Sequence, residues 1–240
     1  MIQSLIKRFA VVAVLVLLSS LAFAQGDREK QLQRVEDAGD IMQEIMEAPD
    51  KGIPEEIIAS AKCIAVVPSL VKAGFVFGGE YGHGIVSCRT EKGWSSPAFF
   101  GIKGGTFGLQ IGGQAIDLVM LIMNDRGMRC LLSSKFELGA DASVAAGPVG
   151  RHAEGATDWK MIAQVLTYSR SRGAFAGITV KGAVIDQDDN DTRIFYGKLI
   201  PYRTLLTDGI VPPKDAHPFL AALDKYAPMR RAEKKAEAAR

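Results

Sequence analysis

The chain has 240 residues, with 29 Lys and Arg against 27 Asp and Glu, 25 Gly and three Cys. That length holds one domain with a full hydrophobic core and some remainder. A balance this close to neutral excludes a global basic field for nucleic acid, and three widely spaced cysteines do not make a structural zinc site.

The first segment, residues 1–24, reads as a secretory leader: Lys7 and Arg8, an apolar run from Phe9 to Leu18, then Ala22-Phe23-Ala24 as an A-x-A cleavage pattern. Cleavage would leave 27 basic and 27 acidic residues and place the chain in the periplasm or at the outer membrane. Residues 25–52 carry an amphipathic helix over 28–48, with Leu32, Val35, Ile41, Met42, Ile45 and Met46 on one face. Pro54 opens a second, shorter helix through Ala61, with Ile57 and Ile58 turned inward. Residues 25–61 hold ten acidic and four basic residues, whereas 62–182 hold thirteen basic and eight acidic. Such a split favours either an anionic surface or the packing of the two parts on each other.

Strand patterns begin at Cys63. Gly74–Gly79 and Gly84–Cys88 read as a hairpin about Glu80-Tyr81-Gly82-His83, and Trp94–Gly101 and Thr106–Gly112 as another about Gly104-Gly105. Ala115–Met123, apolar on both faces, reads as a central strand, and Asp125–Leu132 as a short helix. Short alternating runs follow around Phe136 and Val144, then Val165–Arg170 and Phe175–Ile185. Asp186–Arg193 reads as a solvated turn, Pro201–Pro213 as a connection, Pro218–Tyr226 as a helix, and 229–240 as a charged tail. Twenty of the 25 glycines fall between Gly74 and Gly182. The expected fold class is α+β: N-terminal helices packed on a strongly curved, mostly antiparallel, glycine-rich sheet or partial barrel.

Chemistry is sparse. An oxidising compartment favours a disulfide; of the three pairings, Cys63–Cys88 is preferred, leaving Cys130 buried and free. Tyr168, Arg170 and Arg172 share one strand face, a pattern that suits either phosphate or internal ion pairs. Asp186, Asp188 and Asn190 have the first spacings of a calcium loop, but Asp191 and Gly197 stand where Gly and Glu are needed. No nucleotide-binding glycine motif, H-E-x-x-H or G-x-S-x-G occurs. A triad of Ser133, Ser134 or Ser143 with His152 and Asp141 lacks a nucleophile elbow. No catalytic residue, metal ligand or cofactor is assigned.

Four strings carry a resemblance: AKCIAVVPSLVKAGFVFGGEYGHGIVSCRT (61–90), GWSSPAFFGIKGGTFGLQIGGQAIDLVMLIMN (93–124), SSKFELGADASVAAGPVGR (133–151) and LTYSRSRGAFAG (166–177). The chain resembles the SYLF domain family in its exported bacterial branch, within a domain spanning 53–228 and most strongly over 53–197. The resemblance implies a non-catalytic lipid-binding module. Anionic phospholipid or a membrane surface is then the expected partner, with Lys72, Arg151, Arg170 and Arg172 meeting phosphate. Fungal members bind actin, but export argues against actin here. The alternative is a structural or protein-interaction component of the envelope.

Overall fold

Two long strands make the frame. In the computed structural model, which describes residues 26–48, 52–149, 163–171, 174–178 and 180–228, β1 runs unbroken from Cys63 to Thr90 and β3 from Ala98 to Ile122. They pair antiparallel from Cys63 opposite Ile122 to Val86 opposite Ala98, with the short β2, Gly93–Trp94, in the connection. This corrects the two expected hairpins: Tyr81 lies opposite Lys103, and Gly79 opposite Gly105, in mid-ladder.

Those glycines resemble turn signals, yet the positive-φ glycines among the described residues are Gly93, Gly139, Gly182, Gly197 and Gly209. Within the ribbon, glycine serves close approach instead. A Cβ at Gly84 would stand 2.7 Å from the Val66 carbonyl oxygen and overlap the Phe100 ring. Lacking one, β1 can fold back across itself.

A flat strand as long as β1 would span about 90 Å. Here its ends meet. The Cα atoms of Cys63 and Cys88 are 3.9 Å apart and the residues form the expected disulfide, while the Arg89 amide donates to the Lys62 carbonyl at 2.7 Å. Register shifts at Val67/Leu70 and Gly74/Val76 supply bends. At the first, Ser69 takes φ 54° and its amide donates to Asp117 Oδ1 at 3.0 Å.

The other strands attach near the two ends of β3. Strand β6 (Val165–Ser171) pairs with Asp117–Ile122, and β8 (Val184–Gln187) with Phe100–Lys103. Strand β4 (Lys135–Glu137) adds to β8, β5 (Val144–Ala146) lies parallel to β6, and β7 (Ala174–Gly177) pairs antiparallel with β6. The product is a strongly curved, mostly antiparallel eight-stranded sheet forming a half-barrel, and the fold is α+β as expected.

Strand alternation sorts the apolar residues into two layers. Ala65, Val67, Val86, Phe100, Leu118 and Met120 belong to the cluster on one face of the sheet. Ile64, Val66, Ile85, Phe99, Val119 and Leu121 belong to the cluster on the other, beneath helices. The covering helix α1, residues 26–47, buries Val35, Ile41, Met42 and Ile45 as their spacing predicts. Helix α2 (Glu55–Ser60) buries Ile57 and Ile58. Helix α3 (Asp125–Leu131) is capped by Asn124, whose side chain accepts from the Gly127 amide at 3.0 Å.

The Asp186–Arg193 run is not a turn throughout. Asp188 caps α4 (Asp189–Tyr196), and Gly197 ends it at φ 70°. The Pro201–Pro213 connection contains α5 (Tyr202–Thr207), which buries Tyr202, Leu205 and Leu206. Helix α6 (His217–Tyr226) buries Phe219 and Leu223. Among the described residues no helix is long and apolar enough to cross a membrane. The 1–24 leader and the 229–240 tail lie outside the described residues.

Candidate functional site

The expected phosphate-binding cations are not assembled in the described residues. Arg170 lies opposite Asp117 in the β3–β6 ladder. Its Nε donates to Asp117 Oδ2 at 2.8 Å, and its guanidinium also meets Glu44 of α1. The bulge at Ser69, Asp117, Arg170 and Glu44 thus form a polar chain from β1 across the sheet to α1. Lys72 is paired as well, its ammonium 3.0 Å from the buried Glu80 carboxylate. Both cations sit in internal ion pairs, which for Arg170 is the second of the two readings that its strand pattern allowed. Arg151 and Arg172 lie outside the described residues.

Tyr168 shares the Arg170 face but is fully buried. Its hydroxyl has no hydrogen-bond partner among the described residues, and burial pushes its phenol well above the usual range. The ring lies against Gly147, where an added Cβ would overlap ring atoms Cζ and Cε2 and the hydroxyl oxygen. The run of small residues between Lys135 and Arg151 is therefore required, at Gly147, by a buried aromatic ring from the neighbouring strand β6.

A second polar network joins β1, α1 and α4. His83 Nδ1 lies 3.1 Å from Asp188 Oδ2 and 3.5 Å from Asp191 Oδ2, and its Nε2 lies 2.5 Å from the Tyr81 hydroxyl. Arg34 donates to Asp191 Oδ2 at 2.5 Å and Gln31 to Asp191 Oδ1 at 2.9 Å. Burial raises the Asp188 carboxyl, but hydrogen bonds from His83 and the Asp191 amide, with the charges of His83 and Arg34, hold it below the usual range. The ligand atoms of His83, Asp188 and Asp191 lie within 4.8 Å of one another, close enough for a metal. The Arg34 guanidinium already supplies the cation, and both Asp191 oxygens are engaged. The arrangement anchors α1 to the sheet. The calcium-loop spacing also breaks up, because Asp186 pairs with Lys103 at 2.6 Å while Asp188 caps α4.

Of the triad candidates, Ser133 donates its hydroxyl to the Cys130 carbonyl at 2.5 Å. Asp141 Oδ2 accepts the Glu137 amide at 2.8 Å, and His152 lies outside the described residues. Cys130 is free, as expected, but only half-buried. It opens onto a surface cleft of about 430 Å³ between α3 and the β4–β5 turn, shared with Arg126, Arg129 and Lys135. This cleft was missed because its residues carry no motif. The one available signal was the spacing of Arg126, Arg129 and Cys130, which puts them on one side of a helix.

A helix-covered half-barrel with its polar groups tied across the sheet defines an α+β scaffold domain. Comparison with known proteins gives its family. The profile described as "Ysc84: Las17-binding protein actin regulator" matches residues 103–226. SH3 domain-containing YSC84-like protein 1 of Bos taurus is 37% identical over 180 residues, covering 74% of this chain and 52% of the relative. The Homo sapiens protein of the same name is 36% identical over 180 residues, with the same coverage. LAS seventeen-binding protein 3 of Saccharomyces cerevisiae (strain ATCC 204508 / S288c) is 32% identical over 182 residues, covering 74% of this chain and 39% of the relative. The chain belongs to the Ysc84 (SYLF) family. It spans about half the length of the animal relatives and less of the yeast protein.

These names correct two expectations about partners. The family description names Las17 binding and actin regulation, and the yeast relative is named for binding a protein. The findings point toward protein partners rather than anionic phospholipid. The argument from export against actin does not stand beside them.

Proposed function

We propose that this chain is a non-catalytic protein-interaction module of the Ysc84 type, using its half-barrel as a rigid scaffold for surface recognition. The observation that carries the reading is the family match over residues 103–226, described by protein binding and actin regulation. The engagement of Lys72 and Arg170 inside the molecule supports it, because it withdraws two of the four cations on which a phosphate-binding reading depended. Actin filaments are the first partner to test. The full chain is expected to co-sediment with them in a saturable, salt-sensitive manner. Recovery in the pellet equal to that without filaments, together with no cross-linked adduct, refutes an actin-directed role.

The 1–24 leader pattern and the Cys63–Cys88 bond support placement in an oxidising compartment. Fractionation of cells expressing a C-terminally tagged chain tests this. Full-length product retained in the cytosol counts against export.

A further inference from the structure

The cleft beside Cys130 brings together three cations that have no ion-pair partner among the described residues. Arg126 and Arg129 lie three residues apart on α3, while Gly127 and Leu131 are buried on its other side. The chain then reverses, and Lys135, the first residue of β4, also lines the cleft. None of these three side chains has an ion pair in the described structure, whereas Lys62, Lys103 and Arg170 are each paired with a carboxylate. The one acid in the lining, Asp141, is held by the Glu137 amide. Its carbonyl accepts the Cys130 thiol at 3.4 Å, which fixes the floor of the cleft. Phe136 gives that floor an apolar component.

We propose that this cleft seats an extended acidic segment of a protein partner, an inference that rests on the interaction role above. The charge is complementary, and the spacing agrees. Side chains at i and i+3 on a helix stand about 5–6 Å apart at Cβ. Alternate carboxylates on an extended strand stand about 6.6 Å apart. Two guanidiniums at the first spacing meet two carboxylates at the second, each in the planar, two-bond geometry that Arg favours. Lys135, from β4, adds a third cation to the segment.

The probe is a fluorescein-labelled peptide alternating Glu with Gly and Ser, against the same peptide with Gln for Glu, followed by anisotropy on the full chain. The Glu peptide is expected to bind at least about tenfold more tightly than the Gln peptide. The triple variant Arg126→Gln, Arg129→Gln, Lys135→Gln is expected to lose at least that factor with an unchanged unfolding midpoint, since all three side chains are exposed. A control with equal charge change elsewhere, Lys92→Gln, Lys198→Gln, Lys214→Gln, is expected to bind as the wild type does. The Glu peptide should also slow alkylation of Cys130 by N-ethylmaleimide.

Equal affinity for the two peptides, unaltered binding by the first variant, or equal loss in the control overturns the proposal. So does recruitment by phosphatidylglycerol vesicles, or binding of inorganic phosphate, where the Glu peptide does not bind. Self-association abolished by the first variant would assign the cleft to the acidic α1 of a second copy and would also overturn it. Peptide failure with filament co-sedimentation intact removes the cleft and leaves the interaction role; the reverse pattern removes actin and leaves the cleft.

Discussion

Gly147→Ala tests whether the small-residue run between Lys135 and Arg151 is dictated by the ring packed on it. The new methyl would overlap three atoms of the Tyr168 side chain. That side chain is fully buried, with Leu166 and the α1 residues in the same cluster. Neither partner can retreat cheaply: Gly147 donates its amide to the Thr167 carbonyl at 3.0 Å, and Tyr168 sits in mid-ladder opposite Val119. Overpacking of this kind costs about 1–3 kcal/mol, and three overlapped atoms put it toward the upper end. Tyr168→Phe should act in the opposite direction. A buried hydroxyl with no partner carries a desolvation penalty of about 1–3 kcal/mol, so its removal should stabilise by up to about 1 kcal/mol after lost contacts are subtracted. Because the hydroxyl oxygen is among the overlapped atoms, Gly147→Ala should be less harmful in the Tyr168→Phe background, with a coupling of about 1 kcal/mol. Urea unfolding of the wild type, the two single variants and the double variant gives the cycle directly. A neutral Gly147→Ala, or effects that simply add, would show that the ring does not set the residue at this position.

Replacing both Cys63 and Cys88 by Ala, which frees a 25-residue separation, should lower stability by about 3.5 kcal/mol in the chain-entropy account. Equal urea midpoints for the oxidised protein and the variant would mean that the β1 ends are held by the sheet alone. Arg170→Met should cost about 2 kcal/mol, because it leaves half-buried Asp117 without its charged donor. Glu44→Gln should cost less than about 1 kcal/mol because Glu44 is exposed; the reverse order would make α1 the principal partner of Arg170. Asp188 has its carboxyl held below the usual range. Its contribution to stability is therefore present above the unfolded value near pH 4 and is lost as pH falls through the folded value. Asp188→Asn should lower the melting temperature at neutral pH and flatten the acid limb, and parallel limbs for the two proteins would remove Asp188 from the acid response.

Helices and short strands were legible where one period dominated. The three- and four-residue steps of Val35, Ile41, Met42 and Ile45 gave α1, and the doubly apolar Ala115–Met123 stretch gave the part of β3 flanked by β1 and β6. The long ribbon was not legible, because glycine carries two meanings that sequence does not separate. At Gly93 and Gly197 it permits positive φ and marks a turn or a helix end. At Gly84 it leaves room for the Val66 carbonyl and the Phe100 ring, contacts from residues 18 and 16 positions away. Local pattern sees the missing side chain and cannot see what approaches it. The same limit hid α4: Asp188-Asp189-Asn190-Asp191 has turn composition, yet one Asp caps the helix and another is neutralised by Arg34, far away in the chain.

Charge was legible as an amount but not as an availability. The basic excess over residues 62–182 is real, and it suggested that conspicuous cations such as Arg170 and Lys72 face an anionic ligand. Both are instead partnered across the fold, Arg170 by residues 53 and 126 positions away and Lys72 by Glu80 on the same strand. A cation next to an aromatic residue on a strand is a strong ligand signal only if no carboxylate arrives from elsewhere, and tertiary pairing decides that. Arg126, Arg129 and Lys135 drew no attention because they sit beside a three-residue reversal with no aromatic neighbour in the helix. The turn brings them together while α3 and β4 direct their buried faces into the sheet. Among the described residues they have no ion-pair partner: the one acid in the lining, Asp141, is oriented by the Glu137 amide, so the cleft keeps a positive charge.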